Sequence, residues 1–345
     1  MLTFLGKVVV FGGDFRQILP VIPNGSRQDV VHASINSSYL WEHCTVMRLT
    51  VNMRLSAGTN IEEKREIKEF ADWILDIGNG KIGGKNDGES IVKFPPDMLI
   101  PDSEDRVDSI IRETYPDFTR NLWNAEFFQE RAILAPTHEM VDVINKKMLD
   151  QIDGDAKVYY SSDSVSPADD DSNFVEDAYT PEFLNSLKIS GIPHHELTLK
   201  VGAPVMCMRN IDQRAGLYNG TRMQVLRMGK NVIEVRIISG GMVGTVCAIP
   251  RMIISPSDNK MPFKLNRRQF PVQVCFGMTI NKIQGQTLSQ VGLYLERPVF
   301  SHGQLYVAVS RVKTKKGLKV LCCDIDGVYT DSTTNVVYKE VLHKI

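Results

Sequence analysis

Hydroxyl, amide, glycine and cationic residues crowd one short stretch of this chain. Thr279, Asn281, Lys282, Gln284, Gly285, Gln286 and Thr287 follow directly on an apolar run at residues 272–276. Such groups suit phosphate: hydroxyls and amides donate to its oxygens, lysine adds charge, and glycine lets backbone amides approach. A second apolar run, residues 291–295, leads to a helix-like segment ending on Ser310-Arg311. Near the start, Gly12-Gly13-Asp14-Phe15-Arg16-Gln17 follows the apolar residues 7–11, and Asn52-Met53-Arg54 lies in a strand-like run within residues 41–55. Arginine's planar fork pairs with phosphate through two bonds and never loses its charge. A plain Gly-Gly turn and a surface arginine are the alternatives at those two places. Residues 251–319 hold twelve Lys and Arg against only Asp258 and Glu296, a balance of +10 in a chain of formal net charge −1. That density reads as a phosphate-facing surface, with a solvated face balanced by acidic neighbours as the alternative.

Four segments carry a resemblance. R-Q-F-P-V-Q-V-C-F-G-M-T-I-N-K-I-Q-G-Q-T-L at residues 268–288 and F-S-H-G-Q-L-Y-V-A-V-S-R-V at residues 300–312 resemble motifs V and VI of the PIF-type DNA helicases. The likeness is nearest to the branch found in plants and in Helitron transposons. G-D-F-R-Q-I-L-P-V at residues 13–21 resembles motif III, and Asn52-Met53-Arg54 resembles motif IV. Members of that family are superfamily 1 helicases that move 5′ to 3′ on single-stranded DNA.

The resemblance implies roles for individual residues. Gln17 would sense the γ-phosphate, with Asp14 and Arg16 in support, and Arg54 would contact the nucleotide phosphates. Gln284 and Gly285 would bring amides to the nucleotide. Arg311 would neutralise charge on the transferring phosphoryl group, a role worth roughly 4–7 kcal/mol of barrier, with Gln304 and Tyr306 supporting it. Thr137, Thr279, Asn281, Lys282 and Gln286 would touch DNA, although an ordinary helix cap is an equal reading for Thr137. Ile283 stands where relatives usually carry serine, so one polar contact is expected to be missing.

These residues need elements to hold them. Strand, polar loop, helix, strand, helix and arginine in succession are how an α/β nucleotide-binding domain presents groups at the carboxyl edge of its sheet. Residues 7–11 and 131–136 read as buried strands, with Thr137 capping a helix over 138–151. Residues 61–77 place Ile61, Ile67, Phe70, Ala71, Ile74 and Leu75 at helical spacing and predict an amphipathic packing helix. Residues 78–88 read as a loop, and Gly80-Lys81 and Gly84-Lys85 lack the flanking context of a phosphate loop. Residues 153–182, rich in Ser and Asp and including Asp169-Asp170-Asp171, predict an exposed mobile loop. Residues 183–221 resemble the 2B insertion of the same family. Short β-rich runs over 223–254, separated by Gly229-Lys230-Asn231 and Gly240-Gly241, predict a small β-barrel.

The expected fold is α/β: a RecA-like superfamily 1 helicase core, its first domain incomplete, with a β-barrel-like 2B insertion. Residues 1–120 would be the later part of domain 1A. Residues 121–182 and 261–330 would form 2A, residues 183–260 the 2B insertion, and residues 331–345 a tail.

Composition sets outer bounds. At 345 residues, 43% hydrophobic and 23% charged, the chain is long enough for two or three ordinary globular domains. No stretch has the apolar length of a membrane span. Cys44, Cys207, Cys247, Cys275, Cys322 and Cys323 lack metal-ligand spacing and read as reduced thiols, and His194-His195 reads as a surface pair.

The resemblance further implies ATP and Mg²⁺ as cofactors, single-stranded or forked DNA as partner, a monomer, a nuclear location, and work in repair, recombination and telomere maintenance. Nowhere in the 345 residues is there a G-K-[S/T] phosphate loop or an apolar strand ending in Asp-Glu. Two readings therefore stand. In one, the chain is an N-terminally truncated piece of an ATP-dependent 5′-to-3′ DNA helicase. In the other, it is an inactive, transposon-derived remnant that only binds single-stranded nucleic acid.

Overall fold

The computed structural model describes residues 7–57, 60–84, 87–167, 179–256 and 261–343. They divide into two compact units. The first comprises residues 1–116, 132–141 and 278–345, and the second comprises residues 117–131 and 142–277.

The first unit is built on a five-stranded sheet. Its order is Gly277–Thr279, Arg131–Ala135, Gln290–Leu295, Leu318–Cys323 and Tyr329–Thr330. Gln290–Leu295 and Leu318–Cys323 run parallel, with Val291 opposite Leu318 and Leu295 opposite Cys322. All but the first residue of Arg131–Ala135 and of Gln290–Leu295 is buried. Near-continuous apolar strands of this kind belong to a sheet covered on both faces. Helix Arg106–Thr114 packs on the central strands. Helix Gln304–Val309 is buried at every position.

Helix Ile61–Gly78 starts where the Asn60 side chain accepts the Glu63 N–H, with Glu62 and Glu63 in its first turn. Its buried face is Ile67, Phe70, Ile74 and Ile77, packed against the helix Gln304–Val309. Ile61, expected on that face, lies in the first turn and is exposed. Two strands absent from the expectation, Glu89–Lys93 and Ser332–Val336, pair antiparallel.

Two expected strands are corrected. Residues 7–11 form no strand, and Val8 is 94% exposed. Residues 44–52 likewise have no regular structure, and the run ends in the 3₁₀ turn Met53–Ala57. Valine-rich runs have the propensity for a strand, but a strand needs a neighbour to complete its ladder. None of the described strands lies against either run.

The second unit is mostly antiparallel β. Val272–Val274, Pro204–Cys207, Arg222–Met228, Val232–Ile237 and Val246–Pro250 form one sheet in that order. The turn at Gly229-Lys230-Asn231 closes the hairpin as expected, with Gly229 N–H on the Val232 carbonyl. A three-stranded sheet joins Met252–Ile254, Phe263–Gln269 and Ser162–Pro167, and Lys157–Tyr160 pairs with Glu196–Leu199.

The expected mobile loop is therefore corrected over residues 157–167, which are strands. Asp169-Asp170-Asp171 lie outside the described residues. The overlooked cause is Asp163, whose carboxylate is buried against Arg267 at 2.7 Å with both side chains almost wholly excluded from solvent. The Arg267 guanidinium also donates to the carbonyls of Leu184, Leu187 and Pro193. An acid-rich composition signals solvation, and a single buried partner overrides it.

Candidate functional site

The site lies within the first unit. Residues Asp14 to Gln17 form a turn in which Gln17 N–H donates to the Asp14 carbonyl at 3.0 Å. Asp14 Oδ1 accepts from the Arg16 backbone and from Arg16 Nη1, both at 3.1 Å. Its other oxygen accepts the Tyr306 hydroxyl at 2.7 Å. Burial first, and the Asp14 charge second, push the Tyr306 phenol well above its usual range, so it remains a donor. Arg16 Nε reaches Asn79 Oδ1 at 2.8 Å, tying the turn to the end of the long helix.

Gln17 projects from this turn and meets Gln284, whose Nε2 donates to Gln17 Oε1 at 2.8 Å on an exposed surface. Gln284 follows the 3₁₀ turn Ile280–Ile283, which is anchored by the buried side chains of Ile280 and Ile283. Ile283 therefore serves the core. Gly285 follows with φ +84°, a conformation that favours glycine, and the space its Cβ would occupy is open.

Two arginines converge on the end of the helix Gln304–Val309. Arg54 donates to the carbonyls of Ser310 at 2.8 Å and Val312 at 3.3 Å. Arg311, 6% exposed, donates to Val307 O, Gln286 O and Ser310 Oγ. Carbonyls left over at a helix end are natural partners for cations. Burial, and then the neighbouring Arg54 charge, lower the Arg311 pKa from its ordinary value. Among the described residues, the hydrogen-bond partners of both guanidiniums are carbonyls and a hydroxyl. Two like charges side by side, with Asp14 acting on Arg311 less strongly than Arg54 does, suit an anion.

Asp14, Gln17, Arg54, Gln284, Gly285, Gln286 and Arg311 thus come together. Thr137 stands apart: its Oγ1 accepts the Met140 N–H at 3.4 Å, as the helix-cap alternative requires. Thr279 is buried at the start of the 3₁₀ turn, Asn281 is exposed and Lys282 half-buried. Gln304, expected to support Arg311, instead accepts the Phe300 N–H.

Part of the basic block expected to face phosphate is paired with acids. Arg267 is consumed in its buried ion pair, Lys315 pairs with Asp97 and Lys316 lies near Glu66. Sequence spacing counts charges without locating the acids that face them.

Sequence reasoning missed His302, Gly303 and Asn79. His302 Nε2 lies 2.9 Å from the Phe15 carbonyl, and its Nδ1 accepts the Tyr338 N–H. The only available signal was a histidine-glycine pair at the start of a segment ending in arginine.

The donor set fits the outer end of a polyphosphate: two guanidiniums and two amides, with a glycine turn beside them. Among the described residues no group of three or more His, Cys, Asp or Glu is placed to hold a metal ion. None of the described helices is long and apolar enough to cross a membrane.

Residues 2–88 match the family model of the PIF1-like helicases, and residues 182–228 match that of the DNA helicase Pif1 2B domain. The ATP-dependent DNA helicase PIF1 of Homo sapiens is 36% identical over 154 residues, 44% of this chain and 23% of that protein. The Pif1 helicase of Bdellovibrio bacteriovorus is 25% identical over 335 residues, 97% of this chain and 62% of that protein. Among solved structures, Candida albicans Pif1 superposes with a TM-score of 0.57 at 22% identity, covering 96% of this chain and 66% of that one. Bacteroides Pif1 bound to single-stranded DNA does so with a TM-score of 0.56 at 20% identity, covering 89% of this chain and 60% of that one. The chain thus spans less than two thirds of the length of each. The fold is the one that these two solved structures share.

Proposed function

We propose that this chain belongs to the PIF1-like helicases and serves ATP-dependent unwinding of DNA in the 5′-to-3′ direction. The observation that supports this most is that one unit holds the Gln17–Gln284 amide pair and, at the C-terminal end of the helix Gln304–Val309, the neighbouring guanidiniums of Arg54 and Arg311, with Arg311 donating to Gln286 O two residues from Gln284. Segments far apart in sequence thus supply an amide pair and two guanidiniums that donate to backbone carbonyls. Gln17, Arg54 and Arg311 would hold the terminal phosphates of ATP, and Gln284 and Gly285 would line the same turn. ATP supplies the phosphoryl group whose transfer to water drives movement.

Each residue has a distinct task in that reading. Arg311, fixed by three hydrogen bonds, offers pre-oriented positive charge where negative charge grows in the transition state. Gln17 Oε1 accepts from Gln284, which leaves its Nε2 to donate to a phosphate oxygen, so that one side chain links the nucleotide to residues 279–286. Asp14 and Arg16 hold the turn. Mg²⁺, expected as the companion of ATP, belongs to the same proposal.

The partner in this reading is single-stranded or forked DNA, bound through Thr137, Thr279, Asn281, Lys282 and Gln286. The expected domain limits, the plant and Helitron-like branch, a monomeric state, a nuclear location and roles in repair, recombination and telomere maintenance belong to the same proposal.

A second reading, binding of single strands without hydrolysis, is favoured for the 345-residue polypeptide by its lack of a G-K-[S/T] loop. DNA-stimulated ATP hydrolysis by this polypeptide decides between them. Hydrolysis lost in Arg311→Ala supports the first. Salt-sensitive single-strand binding with no hydrolysis supports the second, and neither activity would overturn both.

A further inference from the structure

His302 is only 2% exposed, and both of its ring nitrogens are engaged by backbone. A backbone N–H can only donate, so Nδ1, 2.8 Å from Tyr338 N, presents its lone pair. A carbonyl can only accept, so Nε2, 2.9 Å from Phe15 O, carries the hydrogen. The imidazole is therefore neutral, in one tautomer, and spans two segments separated by more than three hundred residues. The next residue closes the fit. Gly303 has φ +72°, and a Cβ there would lie 2.3 Å from the Arg16 carbonyl oxygen and 2.7 Å from Gln17 backbone atoms. The turn bearing Gln17 is pressed onto Gly303 while His302 grips the carbonyl two residues before Gln17.

From this geometry we infer that His302 is a positioning residue for Gln17, acting through the Phe15 carbonyl. It sets where the Gln17 amide stands relative to Gln284. The inference rests on the nucleotide reading for its purpose and on the hydrogen bonds alone for its geometry. Hydrogen bonds from Tyr306 and Arg16 to Asp14 hold the front of the turn. Among the described residues, His302 alone holds the Phe15 carbonyl, between Asp14 and Gln17.

The chain contains its own reporter. The Trp41 ring packs edge-on against Phe15, with centroids 5.5 Å apart at 85°. With Trp73→Phe and Trp123→Phe, tryptophan emission comes from Trp41 alone. Two variants then separate the two bonds. His302→Gln places an amide N–H near the Nε2 position and keeps donation to Phe15. His302→Asn keeps an acceptor near Nδ1 for Tyr338 and loses Phe15.

Acrylamide quenching of Trp41 should rise about twofold or more in His302→Asn, because an unpinned turn opens locally. It should stay near the parent value in His302→Gln. The opposite order, or no change in either, would show that His302 only secures the Tyr338 segment and would overturn the inference. Should the variants not fold, ¹⁵N-histidine spectra of the unaltered chain decide: a hydrogen on Nε2 alone is required, and a hydrogen on Nδ1 sinks it. Titration with ADP and aluminium fluoride adds a functional arm. His302→Asn should bind roughly tenfold more weakly than His302→Gln, since preorganisation is lost, and equal affinities would count against the inference. If the unaltered chain binds no nucleotide, the proposed function fails while quenching and tautomer still decide the geometry.

Discussion

The Tyr306 hydroxyl donates to Asp14 Oδ2 at 2.7 Å, joining the turn that carries Gln17 to the helix that ends beside Arg311. Asp14 also accepts from Arg16, so one carboxylate organises two segments of opposite ends of the chain. Removing the hydroxyl in Tyr306→Phe leaves the carboxylate with Arg16 alone. A hydrogen bond to a charged group contributes about 1.5–3 kcal/mol, and urea unfolding should show a loss of that order.

The same bond has a defined pH range. The Tyr306 pKa is raised in the folded chain, first by burial and then by Asp14. A raised folded value means that the stability contribution is complete below the unfolded tyrosine pKa of about 10. It is lost as pH climbs above that toward the folded value. Unfolding followed from pH 7 to pH 11 should lose the Tyr306 contribution only at the alkaline end, and Tyr306→Phe should remove that part of the dependence.

Arg311 has both a structural and a chemical task, and two substitutions separate them. Arg311→Lys retains charge but not the fork that reaches Val307, Gln286 and Ser310 together. Where hydrolysis is measurable, both Arg311→Ala and Arg311→Lys should lower kcat by about 10³–10⁵-fold. A lysine variant retaining most of kcat would show that charge alone suffices.

In the second unit, the Arg267–Asp163 pair is sealed from solvent. Asp163→Ala leaves a buried guanidinium without its counter-charge and should cost about 3–5 kcal/mol. The double change Arg267→Met with Asp163→Leu should recover most of that loss in chemical denaturation. An exposed-pair cost, under about 1 kcal/mol, would contradict the burial.

The cysteines should differ in reactivity. Burial first, then Cys323, push the Cys322 thiol up to about 12, so it is almost entirely protonated at neutral pH. Cys44 is only half-buried. Peptide mapping after brief iodoacetamide treatment should find Cys44 alkylated well before Cys322.

Local pattern settled much of this protein. The apolar spacing of Ile67, Phe70, Ile74 and Ile77 dictates one buried helix face. The unbroken run at residues 291–295 dictates a strand covered on both sides. The motif resemblance pointed to Gln17, Arg54, Gln284 and Arg311; all lie in the first unit, where Gln17 meets Gln284 and Arg54 meets the residue before Arg311. Periodicity and motif spacing are carried by residues close in sequence, so they are readable without coordinates.

Tertiary structure decided what depends on distant partners. Valines at residues 8–10 have strand propensity but no ladder neighbour among the described strands. Asp163 looks like one more acid in a solvated stretch until Arg267, over one hundred residues away, takes it into the core. His302 shows nothing in sequence to connect it with Phe15 or Tyr338. Ladder pairing, counter-charge and hydrogen-bond direction are properties of pairs, and only the folded chain chooses the second member.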